Sequence, residues 1–270
     1  MSQKSAFISF PPGYLGSQPM KFPLLANDER LFAVSKPAGV SCYQHEWTLG
    51  KPDFSMALRR ELLNGKPQLE RLGVKGVFRV YNLDAELSGA LVFAKDEENE
   101  GLLKNAAGSD QLRFRFHLLA RAETEEREFA CDLPIARHFH DRRMLVSHKT
   151  GKRSETRFRF LRPFGQYQLW EAECTEMRLH QVRLHAAECG LMVVGEELYS
   201  DGGQVYLSRL KRGYLPSKGR ERPIYPHLCV HLVEVGFSLP GLDLEPVMAP
   251  LPSRFETLLK RLDEHRGSRG

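Results

Sequence analysis

The chain has 270 residues, 41% hydrophobic and 27% charged, with 39 Lys and Arg against 34 Asp and Glu for a net charge of +5. That length suffices for one large core or two small ones, and the balance argues against disorder while leaving a polyanion partner undecided. No run approaches the roughly 18 apolar residues of a spanning helix, and Pro and Gly interrupt the N-terminal segment before a signal-peptide core forms, so the expected address is the cytoplasm with no membrane partner.

Residues 1–21 lack a clear period and are rich in Gly, Pro and Ser, which predicts a surface arm, placed at 1–25. Leu31 to Val34 reads as a short strand running into the Lys-Pro-Ala-Gly turn, and Phe54, Leu58 and Leu62 predict a helix over 53–64 that Gly65 and Pro67 end. Val77 to Val80 and Ala90 to Phe93 read as strands flanking a polar turn from Asn82 to Ser88. DEENEGLLKNAA is helical in pattern, Leu112 to Ile135 suggests two strands, and 156–166 with 167–177 resemble a hairpin. In MRLHQVRLHAAECG, Val182, Ala186 and Cys189 share a helical face and Gly190 stands where a terminating glycine is expected. HLCVHLVEVGFSL predicts a core strand and PSRFETLLKRLDEH an amphipathic helix, with 263–270 left as a tail. The order, strand-dominated with intervening helices and no dividing linker, argues for an α+β fold.

The five cysteines, Cys42, Cys131, Cys174, Cys189 and Cys229, are scattered and odd in number with no CxxC pair. They read as reduced, mostly buried thiols, not a disulfide framework or zinc knuckle. His138-Phe139-His140 raises a metal question, but no third ligand at suitable spacing accompanies it, so no metal is expected.

Asp84 lies in the polar turn before an apolar segment, where a carboxylate is by default a turn former bonding nearby N–H groups. Arg178, His180, Gln181 and Arg183 cluster in and before the later helix, where the default is a solvated face. If that helix packs across the strands, the Arg183 guanidinium reaches Asp84, lowering the acid's pKa and orienting it as a nucleophile or a stabiliser of a developing cation. Two basic stretches, Arg137 to Arg159 and Arg209 to Arg222 with Tyr214, read either as solvated loops or as tracks for a phosphate backbone.

LFAVSKPAGV, NLDAELSGALVFAK, REFACDL, GKRSETRF, MRLHQVRLHAAECGLMVVGEELY and HLCVHLVEVGF resemble, in this order, the motifs of the RluA-type RNA pseudouridine synthases. Those motifs are a KPAG turn, an H-R-L-D-x-x-T-S-G loop, a K-x-Y-x-A strand, a G-K-x-A-x-T step, a G-R-T-H-Q-I-R-x-H helix, a G-D-x-x-Y turn and a late L-H-A strand. The resemblance covers about residues 30 to 240. It implies a single catalytic domain over 26–262, with a mixed, mainly antiparallel central sheet flanked by helices; the fewer than about 30 residues before the KPAG strand are too few for an independent core, so no separate N-terminal RNA-binding module is expected. It also implies catalytic roles for Asp84, its partner Arg183, and Phe129 as the ring that stacks on the target uracil. Tyr81, Asn82, Arg178, His180, Gln181 and Leu184 fall at substrate-binding positions by the same resemblance. The implied reaction isomerises uridines of ribosomal or transfer RNA without cofactor or metal; the chain is expected to act as a monomer.

Tyr81-Asn82 stands where the family has His-Arg, Phe129 where it has Tyr, and Leu87 and Leu179 where it has Thr. These departures motivate an alternative, a non-catalytic RNA-binding or RNA-folding factor on the same scaffold. A hydrolase using Asp84 as general base is a third reading, and no second catalytic group in register supports it.

Overall fold

Alternation and apolar runs set the strands, and turn residues set their ends. The computed structural model describes residues 6–211, 213–214 and 221–265. In chain order the chain forms β1 (Phe7–Phe10), β2 (Met20–Asn27), β3 (Leu31–Lys36), α1 (Phe54–Leu63), α2 (Pro67–Arg71), β4 (Phe78–Arg79), β5 (Ser88–Ala94) and α3 (Glu97–Gly108). There follow β6 (Leu112–Ala122), β7 (Glu128–Cys131), β8 (Ile135–Arg137), β9 (Met144–Val146), β10 (Thr156–Phe164), β11 (Tyr167–Cys174), α4 (Gln181–Glu188) and β12 (Leu191–Val193). The last elements are α5 (Leu207–Leu210), β13 (Val230–Phe237), β14 (Val247–Met248) and α6 (Ser253–Glu264).

The described residues fall into two compact units, one within 1–114, 175–179 and 232–249, the other within 115–174, 180–231 and 250–270. Neither is continuous in sequence, which is why no linker marks the division.

In the first unit the strand order is β1-β2-β3-β5-β13, with β4 on β5 and β14 on β13. β5 is buried along its whole length, as a continuous apolar run between two neighbours requires. Gly89 shows why a Ser-Gly step opens this strand: with φ +137° its missing Cβ would lie 2.4 Å from the Leu232 carbonyl oxygen on β13. The core is aromatic, with ring centroids of Phe22 and Phe54 4.4 Å apart, Phe10 and Phe22 5.5 Å, and Phe32 and Phe93 5.2 Å. Asp53 caps α1 by accepting from Met56 N at 2.9 Å, and Asp96 caps α3 by accepting from Asn99 N at 3.0 Å.

The predicted surface arm is corrected from residue 6 onward. β1 and β2 pair antiparallel from Phe7↔Pro23 to Phe10↔Met20, and Ile8, Phe10 and Phe22 are buried. Few inward residues on either side of a Pro- and Gly-rich loop leave too little alternation to read as strands.

In the second unit the order is β6-β11-β10-β7 with β12 on β6, and β8 and β9 form a separate hairpin. That hairpin was legible only as part of a basic stretch. α6 buries Phe255, Leu258 and Leu262, the amphipathic stripe predicted for it, against Phe164, Tyr167, Val194 and Tyr225. The pairs β1–β2, β2–β3, β3–β5, β4–β5, β13–β14, β6–β12, β7–β10, β10–β11 and β8–β9 are antiparallel, so the fold is α+β and mainly antiparallel as predicted. All five cysteines are free thiols, four of them buried.

Candidate active site

Asp84 lies half-buried in the turn leading into β5. The backbone around it is held almost carbonyl by carbonyl. Cys42 Sγ donates to Leu83 O at 3.1 Å, Leu87 N to Asp84 O at 3.2 Å, and Gly39 N to Ala85 O at 2.7 Å. Lys36, from the Lys-Pro-Ala-Gly turn, is fully buried, and its Nζ lies 3.2 Å from Ala85 O, 2.5 Å from Leu87 O, 2.9 Å from Val40 O and 3.1 Å from Pro37 O. Burial pushes the Lys36 pKa down, against the attraction of Asp84 and Glu86 for its charge. The Cys42 thiol is pushed up by burial, so it stays a neutral donor.

Two predicted substrate residues precede Asp84. Tyr81 is buried: its hydroxyl donates to Ala90 O at 2.9 Å and its ring meets Phe114 edge-on at 4.8 Å. Asn82 is half-buried, with its Oδ1 enclosed and without a hydrogen-bond partner.

Arg183 belongs to the second unit, where α4 is buried from Gln181 to Ala186. Side chains hold this region. Arg183 Nε and Nη2 donate to Glu196 Oε2 and Oε1, both at 2.8 Å, a bidentate pair that is 3% exposed on each residue and so removed from water. Burial raises the Glu196 pKa, but the Arg183 hydrogen bonds and charge, with the N–H groups of Leu198 and Glu197, outweigh it and hold the carboxyl below its usual value. The turn carrying Glu196 begins at Gly195, φ +85°, where a Cβ would lie 2.7 Å from His227 O.

Gln181 Nε2 donates to Glu155 O at 3.0 Å and Thr156 Oγ1 at 3.2 Å, and Thr156 Oγ1 lies 2.9 Å from His185 Nδ1. Leu133 O, 2.9 Å from His185 Nε2, can only accept, so Nε2 carries the hydrogen. This chain explains why a threonine on β10 and a glutamine and histidine on α4 occur together. His180, just before α4, is buried with φ +56°, a conformation that costs a non-glycine residue about 1–3 kcal/mol. Its Nδ1 lies 2.7 Å from the Tyr199 hydroxyl, which accepts from Met144 N at 2.9 Å. The helix face expected to be solvated by default is therefore buried, and Leu184 is a core residue. Glu196, Tyr199, Ser200 and Gln204 border a concavity of about 530 Å³.

Phe129, on β7 of the second unit, is half-buried, its ring centroid 5.3 Å from Phe158 and 5.6 Å from Trp170. Arg178 belongs to the first unit and pairs with Glu176 at 3.5 Å. The structure thus gathers Asp84, Asn82, Tyr81 and Arg178 in one unit, and Arg183, His180, Gln181, Leu184 and Phe129 in the other.

The basic stretch 137–159 is mixed in charge where it enters β10: Arg157 pairs with Glu155 and Arg159 with Glu171, each at 2.9 Å. His138 Nδ1 accepts from the N–H groups of His140 and Asp141, which gives that histidine a turn-forming place. Among the described residues no group of three His, Cys, Asp or Glu could hold a metal, and no helix is long and apolar enough to cross a membrane. Residues 212 and 215–220 of the second basic stretch lie outside the described residues. Lys36, Cys42, Glu196 and Tyr199 were not singled out as site residues. Lys36, Glu196 and Tyr199 stand in the Lys-Pro-Ala-Gly and Gly-Glu-Glu-Leu-Tyr segments, but what their side chains hold is visible only in the fold.

A sequence model of the RNA pseudouridylate synthase family matches residues 30–188, more than half of the chain. The chain belongs to this family. It is 28% identical over 249 residues to a Synechocystis protein described as an uncharacterized RNA pseudouridine synthase, covering 90% of this chain and 69% of that one. It is 32% identical over 178 residues to the ribosomal large subunit pseudouridine synthase D of Nitrosomonas europaea, covering 65% of this chain and 49% of that protein. Among solved structures, human RNA pseudouridylate synthase domain containing 4 matches with a TM-score of 0.67 at 20% identity, over 88% of this chain and 92% of that one. This last likeness is one of fold.

Proposed function

We propose that this family member is an active RNA pseudouridine synthase, working as a monomer in the cytoplasm on uridines of ribosomal or transfer RNA, without metal or organic cofactor. Asp84 is the essential carboxylate, Arg183 the guanidinium that pairs with it, and Phe129 the ring that stacks on the displaced uracil. The observation that carries the reading is the backbone cage of Lys36, Cys42 and Gly39, which fixes the turn bearing one particular carboxylate in a chain of this family. A turn former with no other task needs no buried lysine beneath it.

The chemistry breaks the N1–C1′ bond of uridine, turns the freed base and joins C5 to C1′; the C5 hydrogen leaves as a proton and N1 takes one up from solvent, so the product is an isomer of the substrate. An ionised Asp84 serves this either by attacking C1′ or by removing a sugar proton, and a guanidinium beside it favours the ionised form. Extruding the base costs a few kcal/mol, which stacking and basic contacts to the backbone offset. His180, Gln181, Arg178 and Asn82 contribute to binding the substrate. Tyr81 and Leu184, both buried, support the substrate-binding residues from the core of their own units.

The alternative, an RNA-binding or RNA-folding factor without turnover, is favoured by Phe129, whose ring lacks the hydroxyl of the family's tyrosine and packs on Phe158 and Trp170. Mapping pseudouridine after incubation with RNA from a host lacking the protein tests the choice. Sites gained with wild type and absent with Asp84→Asn support the enzyme. No gain with either, together with salt-sensitive RNA binding by both, supports the factor.

A further inference from the structure

Between β3 and α1 the chain runs through residues 41–52 without a helix or strand, and this segment carries three rings at alternate positions, Tyr43, His45 and Trp47. Tyr43 and His45 have centroids 5.4 Å apart, and His45 and Trp47 5.7 Å apart. The guanidinium carbon of Arg79, on β4, lies 4.0 Å from the centroid of the Tyr43 ring. Arg79, Tyr43, His45 and Trp47 thus form a series of π surfaces headed by a cation, all within the first unit and each partly exposed. The Arg79 pKa is drawn down by burial, while the Asp53 carboxylate favours its charge.

The segment's backbone is ordered by its own contacts. His45 N donates to Thr48 Oγ1 at 3.0 Å, Thr48 N to His45 O at 2.8 Å, and Gln44 Nε2 to Lys51 O at 3.2 Å. It is also anchored to the Asp84 turn. Cys42, the residue before Tyr43, is the donor to Leu83 O, and its carbonyl accepts from Ser55 Oγ at 2.7 Å. Whatever the rings bind is therefore registered against the Asp84 loop. The chain's other tryptophan, Trp170, is fully buried, so Trp47 is the indole a ligand can reach.

Partly exposed rings in series beside an arginine suit one ligand chemistry above others: successive unpaired nucleobases, which stack on aromatic faces whatever their identity while a cation meets the phosphates. We infer that Arg79, Tyr43, His45 and Trp47 form a stacking surface for unpaired nucleotides of the RNA substrate that flank the uridine presented to Asp84. The inference rests on the proposed function for RNA as the ligand. It adds a substrate-binding surface that none of the family's motif residues supplies.

The test uses the full chain and two probes of equal length, an oligouridylate and an abasic oligonucleotide carrying the same phosphates. Expected results are quenching of Trp47 fluorescence by the oligouridylate and much weaker quenching by the abasic strand. Trp47→Ala and Tyr43→Ala should each weaken oligouridylate binding about tenfold with unchanged thermal unfolding, while Trp47→Phe stays near wild type. Equal affinity for both probes, or undiminished binding by Trp47→Ala, would overturn the inference. Pseudouridine formation by wild type without base-dependent quenching defeats this surface and leaves the enzyme standing. Base-dependent quenching without product formation leaves the surface standing and defeats the enzyme.

Discussion

Around Asp84 the stabilising contacts run to main-chain carbonyls: an ammonium, a thiol and an amide N–H hold Leu83, Ala85 and Leu87. At α4 they run between side chains, Arg183 to Glu196, Gln181 to Thr156 and Thr156 to His185. A loop fixed by its backbone tolerates exchange of its side chains, because the bonds that shape it are indifferent to them. A buried polar network does not, since removing one partner strands another. Tyr81, Asn82 and Leu87 lie along the backbone-held stretch, and Gln181, Arg183 and His185 lie in the side-chain network.

The comparison predicts unequal costs. Glu196→Ala removes the carboxylate that accepts from two donors of the buried Arg183 guanidinium and should cost about 3–5 kcal/mol in urea unfolding; a cost near zero would show that water or another group replaces it. Because the folded Glu196 pKa is depressed, its stabilisation is complete above the unfolded value of about 4.3 and is lost as pH falls through the folded value. Glu196→Gln should therefore flatten the acid limb of the stability curve, measured as urea midpoint against pH. Lys36→Met strands carbonyls under the Asp84 turn and should cost about 1–3 kcal/mol, with activity falling further than stability explains. The smallest effect belongs to Tyr81→Phe, which removes one hydrogen bond to Ala90 O and should cost about 1 kcal/mol. A large loss of turnover there, with KM unchanged, would move Tyr81 from the core into the chemistry.

Most of the architecture was legible where a period repeats often enough. The helix over 53–64, the 156–177 hairpin and the amphipathic C-terminal helix appear at their predicted places because each carries several inward residues or a clear stop signal. The β1–β2 hairpin did not, having few inward residues on either side of a Pro-rich loop. At the site, Asp84 and Arg183 stood out through ordered motifs, not through chemistry written in their immediate neighbours. The cage beneath Asp84 was hidden because Lys36 and Cys42 are distant in sequence from the carbonyls they hold, and no local pattern encodes a contact across some fifty residues. Glu196 was hidden for a related reason: a carboxylate in a turn reads as solvated until the fold buries it against a guanidinium.

The most direct measurement follows the hydrogen at C5, which the proposed isomerisation must expel. With RNA labelled by tritium at uridine C5, wild-type protein should release tritium to water in proportion to enzyme, and Asp84→Asn should release none above background while unfolding within about 0.5 kcal/mol of wild type. Equal release by both proteins would contradict the role of Asp84. No release by wild type from an RNA that it binds would contradict turnover itself.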